Sequence, residues 1–191
     1  MIASCEAKLH AFADLLRRWN PSINLVAPST LDDLWSRHID DSTQLADLAP
    51  PTGTWLDIGS GGGLPGVVVA ICRPDLQVTL LDSDARKATF LRTCIRELDL
   101  ANATAVTDRI ERHPPAGASH VSARALAPMS KLMPYVVRHL APGGTAWLMK
   151  GERWKDEVDA VKTAWHFDLT DHASRTQPGA AILELTAIRH A

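Results

Sequence analysis

Apolar positions recur at helical spacing at the start of the chain and then give way to short strand-like runs. Leu9, Phe12, Leu15, Leu16 and Trp19 fall three and four residues apart, the stripe of an amphipathic helix, and Asn20-Pro21 reads as its stop. Arg17-Arg18 is expected to cap the C-terminal end of that helix. A second helix is expected to begin near Ser29 or Thr30, with Asp32 and Asp33 in its first turn. Its apolar face carries Leu31, Leu34, Trp35, Ile39, Leu45 and Leu48, and Pro50-Pro51 ends it. Beyond that point strands alternate with helices, the rhythm of a parallel sheet. Strands are predicted at 54–58, 77–81, 103–106, 119–124 and 145–149, and helices at 64–72, 84–98, 128–140 and 153–165. Pro142-Gly143-Gly144 stops the third of these helices. Alternating residues over 166–173 and 180–188 predict an antiparallel hairpin that closes the sheet. The expected fold is α/β and Rossmann-like: a mostly parallel seven-stranded sheet (51–191) under a helical N-terminal cap (1–50), in one domain.

The segment from Trp55 to Gly66 carries the chemistry. A short apolar strand runs into Asp57, then into Gly59, Gly61, Gly62, Gly63 and Gly66, and the apolar run Val67 to Ile71 follows directly. Strand, glycine loop and helix form the nucleotide-binding corner of a doubly wound fold. Gly61-Gly62-Gly63-Leu64-Pro65-Gly66 satisfies G-x-G-x-x-G, so a dinucleotide is one candidate ligand. Asp57, at the strand tip, favours a different one. A carboxylate there repels a pyrophosphate and attracts the sulfonium and amino groups of S-adenosyl-L-methionine. Asp82, closing the next strand, suits a ribose diol in either case.

Composition narrows the class without choosing the activity. The 191 residues are 46% hydrophobic and 22% charged, as in ordinary globular proteins, and no apolar run reaches the length of a membrane span. The first residues show no secretory signal pattern, so a cytoplasmic protein without a membrane partner is expected. Three cysteines without paired spacing read as reduced thiols, not a disulfide frame or a zinc site, and the histidines show no metal-ligand spacing. With a net charge of −2, any nucleic-acid surface must be a local patch.

Six motifs in one order make the reading specific: Trp19 to Leu25, Arg37-His38-Ile39-Asp40-Asp41-Ser42, Asp57 to Gly66, Leu80 to Ser83 with Lys87 and Phe90-Leu91, Ser122-Ala123-Arg124-Ala125, and Pro142-Gly143-Gly144 to Lys150-Gly151. Together they resemble the bacterial small-subunit rRNA guanine-N7 methyltransferases, the glucose-inhibited division protein B family. The resemblance implies a class I S-adenosylmethionine-dependent methyltransferase fold and 16S rRNA, or the 30S subunit, as partner. It implies cofactor contacts at Gly59, Leu64, the pair Ile110-Glu111 and Arg124, beside Asp57, Gly61 and Asp82. It also places Arg37 and His38 near the catalytic face, as candidates on the RNA side. The family usually has Ala or Pro where this chain has Gly62, and often Phe at Leu64.

Guanine N7 offers a lone pair and carries no proton, so its methylation needs no obligatory base, and no base is assigned. Cytosine C5 would need a cysteine nucleophile, whereas Cys72 and Cys94 fall inside predicted helices. His113-Pro114-Pro115-Ala116 lacks the aromatic and the position of an exocyclic-amine motif and reads as a loop. Further RNA candidates are Arg73, Lys150 and Arg153, with Trp154 as a base-stacking residue; the other tryptophans suit the core. A monomer is expected. Two other readings stand beside this one: an NAD-linked oxidoreductase, separated by which cofactor raises the melting temperature, and a non-catalytic ribosome-assembly factor, separated by turnover on isolated subunits.

Overall fold

The computed structural model describes residues 2–191, with side chains from Cys5 onward. Helix α1 (Ile2–Ile23) is followed by a 3₁₀ turn (Pro28–Thr30), a π-turn (Trp35–Asp40) and α2 (Asp41–Leu48). Then come β1 (Gly53–Ile58), α3 (Gly66–Cys72), β2 (Leu76–Asp82), α4 (Ala85–Glu97) and β3 (Ala103–Thr107). The chain continues through β4 (Ala118–Arg124), α5 (Met129–His139), β5 (Leu140–Lys150), α6 (Trp154–Val161), β6 (Trp165–Ala173) and β7 (Ala181–His190). The seven strands form one sheet in the order β3-β2-β1-β4-β5-β7-β6. β1 to β5 pair in parallel, while β7 is antiparallel to both neighbours, as the closing hairpin requires.

Central parallel strands are covered on both faces, which is why Trp55 through Ile58 are all buried. Their side chains alternate: Trp55 packs in the core beneath α1, α3 and α4, whereas Leu56 and Ile58 pack in the core beneath α5 and α6. The same alternation sends Asp57 to the α3 side. The stripe anticipated on α1 is real, with Phe12, Leu15 and Leu16 at 0–2% exposure. Full burial of each such side chain contributes about 1.5–3 kcal/mol.

Five expectations need correction. Helix α1 does not stop at Asn20-Pro21. It runs to Ile23 and turns at Asn24, whose φ of 47° is left-handed. Asn20 is nevertheless the closing residue, because its side-chain carbonyl accepts the N–H groups of Leu25 and Val26 at 2.8 Å. Arg17 and Arg18 pair with Asp14 and Glu97 instead of capping the helix end. The single helix anticipated over 29–48 is broken into three pieces. The Thr30 hydroxyl bonds the Ala27 carbonyl and lies 2.7 Å from His38 Nε2, and the wide turn that follows re-aims Arg37 and His38. Pro142-Gly143-Gly144 lies within β5 at a break in its register with β4, and α6 ends at Val161 instead of 165. Among the described residues no helix is long and apolar enough to cross a membrane, and no group of side chains could hold a metal ion.

Candidate active site

Two cavities meet above the carboxyl ends of the strands, where an open parallel sheet presents its ligand crevice. The smaller, about 400 Å³, is walled by Gly59 to Gly62, Leu64, Asp82, Lys87, Ile110, Glu111 and the segment Arg124 to Leu126. The larger, about 780 Å³, is walled by the turn 25–30, Arg37, His38, Asp41, Lys150, Glu157 and the β6–β7 loop. Leu25 and Arg124-Ala125-Leu126 belong to both walls. Both volumes suit small-molecule sites.

The glycine loop folds as it does because backbone, not side chains, must fill its tight positions. Gly59 has φ of 66°, and a Cβ there would lie 2.5 Å from Leu126 Cδ1 on the shared wall. The N–H groups of Gly59 and Ser60 both donate to the Leu81 carbonyl, tying the loop to β2. At the end of β2, Asp82 accepts the Gly61 N–H through Oδ2 and the Asp84 N–H through Oδ1, each at 2.8 Å. Each oxygen keeps a second acceptor site open to a ligand hydroxyl.

Asp57 does not line either cavity, contrary to its expected place beside the ligand. It is 1% exposed and lies beneath the loop. Its Oδ2 accepts the Gly66 N–H at 3.2 Å, and its Oδ1 accepts the Ser122 hydroxyl at 2.6 Å, while Ser122 accepts the Trp55 indole N–H. Burial pushes its pKa up to about 6, against the hydrogen bonds from Ser122 and Gly66 that favour the charged form. The carboxylate therefore braces the loop. A Cβ at Gly66 would come within 2.6 Å of its Oδ2.

Arg124 closes β4 and joins the two cavities. Its Nη1 donates to Asp41 Oδ2 and its Nη2 to His38 Nδ1, both at 3.0 Å. An arginine only donates, so His38 Nδ1 is the acceptor and Nε2 carries the proton toward Thr30. Burial, then the charges of Arg124 and Arg37, hold the His38 pKa down at about 4, so the ring is neutral. Asp41 Oδ1 in turn accepts the Thr176 hydroxyl at 2.9 Å, which ties the β6–β7 loop to the same hub. The next residue, Ala125, takes a left-handed φ of 51° and lines both cavities.

The structure thus brings Gly59, Gly61, Leu64, Asp82, Ile110, Glu111 and Arg124 around one cavity and Arg37 and His38 around the other. Arg73 is not near either. Its guanidinium binds the carbonyls of Ala46 and Asp47, closing the end of α2. Trp154 packs half-buried against the α5–α6 core. Lys150 lies in the larger cavity, held by the Ala127 carbonyl and by Glu157. Asp41 and Glu157 were missed as site residues. Asp41 stood inside a quoted motif, but only the fold shows it facing Arg124, and Glu157 carried no signal beyond its place in the first turn of a helix. Burial pushes the Cys72 thiol up to about 12 and raises that of Cys94 further, so neither is a ready nucleophile.

An antiparallel β7 inserted between β5 and β6 departs from the all-parallel dinucleotide order and, with the loop and its crevice, defines a Rossmann-like S-adenosylmethionine-dependent methyltransferase fold. The solved structures it is similar to include a SAM dependent methyltransferase from Aquifex aeolicus, with a TM-score of 0.61, 11% identity and coverage of 85% of this chain and 98% of that one. Another is M. jannaschii TYW2 in complex with AdoMet, with a TM-score of 0.59, 14% identity and coverage of 79% and 74%. The family model for GidB, rRNA small subunit methyltransferase G, matches residues 5–183, and the chain belongs to that family. Ribosomal RNA small subunit methyltransferase G of Paracoccus denitrificans is 55% identical over 96% of both chains. The protein of the same name from Ruegeria sp. strain TM1040 is 47% identical over 95% of this chain and 90% of its own.

Proposed function

We propose that this chain methylates N7 of a guanine in 16S rRNA, with S-adenosylmethionine in the smaller cavity and the guanine in the larger. One observation carries the reading: a glycine-walled cavity with a diol-accepting carboxylate opens, across a shared wall, into a second cavity of about 780 Å³. The residues fit the cofactor. Asp82 has open acceptor sites for a ribose diol, the backbone of Gly59 and Gly61 permits close approach, and Leu64 and Ile110 offer apolar faces to an adenine. The cofactor, when bound, supplies an electrophilic methyl group on sulfur.

The chain's own residues then have to align, not ionise, the acceptor. N7 has no proton to lose. The one imidazole in the larger cavity is neutral, and its free lone pair is taken by Arg124. Alignment alone supplies up to about 7–11 kcal/mol in favourable cases. Arg124, fixed by Asp41 and His38, holds the junction, and exposed Arg37 at the mouth is placed to meet phosphate. The base reaches the cavity unstacked from its neighbours. We take residues 1–191 to act as one monomeric domain, with 1–50 as a cap, and the near-neutral charge favours the 30S subunit over stripped rRNA as substrate. Mass spectrometry of 16S rRNA from a strain lacking this chain tests the proposal. Loss of one 7-methylguanosine is expected, and an undiminished level overturns it.

A further inference from the structure

The larger cavity has two carboxylates on its wall, and they differ in what they have left to offer. Asp41 is engaged on both oxygens: Oδ1 takes Thr176 and Gln44, and Oδ2 takes Arg124. Glu157 is engaged on one side only. Its Oε2 accepts the Lys150 ammonium and the Met129 N–H, each at 2.8 Å, while Oε1 receives no protein donor among the described residues. Those two bonds fix the carboxylate in one orientation from a strand end and a helix start. Burial alone would raise its pKa, but Lys150 and the Met129 N–H outweigh it and hold the group ionised at neutral pH. An ionised carboxylate is an acceptor and nothing else.

Guanine presents two opposite edges. N7 lies on one; N1–H and the exocyclic N2 amine, both donors, lie on the other. The methyl must come from the smaller cavity, so N7 faces the shared wall of Arg124 to Leu126. The opposite edge then points into the part of the larger cavity that the smaller does not share, and Lys150 and Glu157 are among the polar residues that line it. We infer that Glu157 is the guanine-selecting residue, its Oε1 accepting the N1–H and N2 amine of the target base; this rests on guanine N7 being the methyl acceptor. Adenine would turn a bare N1 lone pair toward the same oxygen and has no amine at C2. Discrimination of this kind arises because the wrong base leaves a polar group of the site without its partner.

The test uses small subunits assembled on 16S rRNA carrying guanosine, inosine or adenosine at the methylated position. Inosine lacks only the N2 amine, so the wild-type protein is expected to methylate it at least about fivefold more slowly than guanosine. In Glu157→Gln the side-chain amide can donate to adenine N1, so the guanosine-to-adenosine rate ratio is expected to fall at least about tenfold, with cofactor affinity by calorimetry unchanged. Equal wild-type rates on guanosine and inosine overturn the inference. So does a folded Glu157→Gln protein that is slowed equally on guanosine and adenosine, since Glu157 would then only hold Lys150 and Met129. The inosine comparison needs no variant and decides the matter if Glu157→Gln does not fold. A wild-type protein that leaves the guanosine subunit unmethylated overturns the N7 reading as well, an outcome distinct from the other two.

Discussion

The two halves of the site are built in opposite ways. The smaller cavity is built around one local segment, the loop from Gly59 to Leu64 with Asp82 one strand further on, and is closed by short runs at 109–111 and 124–126. The larger cavity is assembled from residues spread from Leu25 to Ile182, joined by Arg124, Asp41, His38 and Thr176 through side-chain hydrogen bonds. A backbone-built wall tolerates few side chains and holds a constant ligand. A wall of long polar side chains from separate elements can be fitted to one base in one RNA.

Breaking the junction should cost most. Arg124→Ala removes the charged side chain on the wall common to both halves and leaves Asp41 partly buried without its cation. Methyl transfer is expected to fall by about two to three orders of magnitude in kcat/KM, the scale set by loss of a fixed electrostatic donor. A loss of less than tenfold in steady-state assays would separate the two halves after all. Asp82→Ala should act on the cofactor half alone. Charge-assisted hydrogen bonds contribute about 1.5–3 kcal/mol, so calorimetry should show about a tenfold to hundredfold weaker cofactor Kd, with the KM for subunits unchanged.

Asp57 sharpens the contrast, because it supports the cofactor half from beneath. Its folded pKa of about 6 lies above the ordinary 3.8, so the folded state holds a proton that the unfolded chain has lost. Its contribution to stability is full below about 3.8 and declines as pH rises to about 6, by about 3 kcal/mol in all. The melting temperature of the wild type relative to Asp57→Asn should therefore fall between pH 4 and 7. A pH-independent gap contradicts the burial. Gly66→Ala, which pushes a methyl against Asp57 and Leu80, should cost about 1–3 kcal/mol in chemical denaturation. Smallest of all, exposed Arg37→Ala should raise the KM for subunits by about two- to fivefold, as loss of one phosphate contact does, and leave cofactor binding unchanged.

The same contrast explains what could be read from the residues. The sheet and glycine loop were legible because their signals are local: alternation, apolar runs and Gly spacing. Helix breaks at 31–40 were not, because the apolar stripe there survives a π-turn, and only the Thr30–His38 bond shows why the turn is wide. Asp57 stands out in the sequence at the tip of a strand, yet it lies beneath the loop and lines neither cavity. Its place at the strand tip is local, but its direction depends on which face of β1 lies under α3. Glu157 and Thr176 were invisible because their partners are 7 and 135 residues away, at Lys150 and Asp41.

The central claim is the division of labour between the two cavities, with a guanine N7 meeting a methyl donor at the wall they share. Purified protein, 30S subunits from the strain lacking it and S-adenosylmethionine labelled in the methyl group test that claim most directly. The expected result is one labelled methyl per subunit, released as 7-methylguanine on mild depurination. Label on any other atom, or none with active protein, contradicts it.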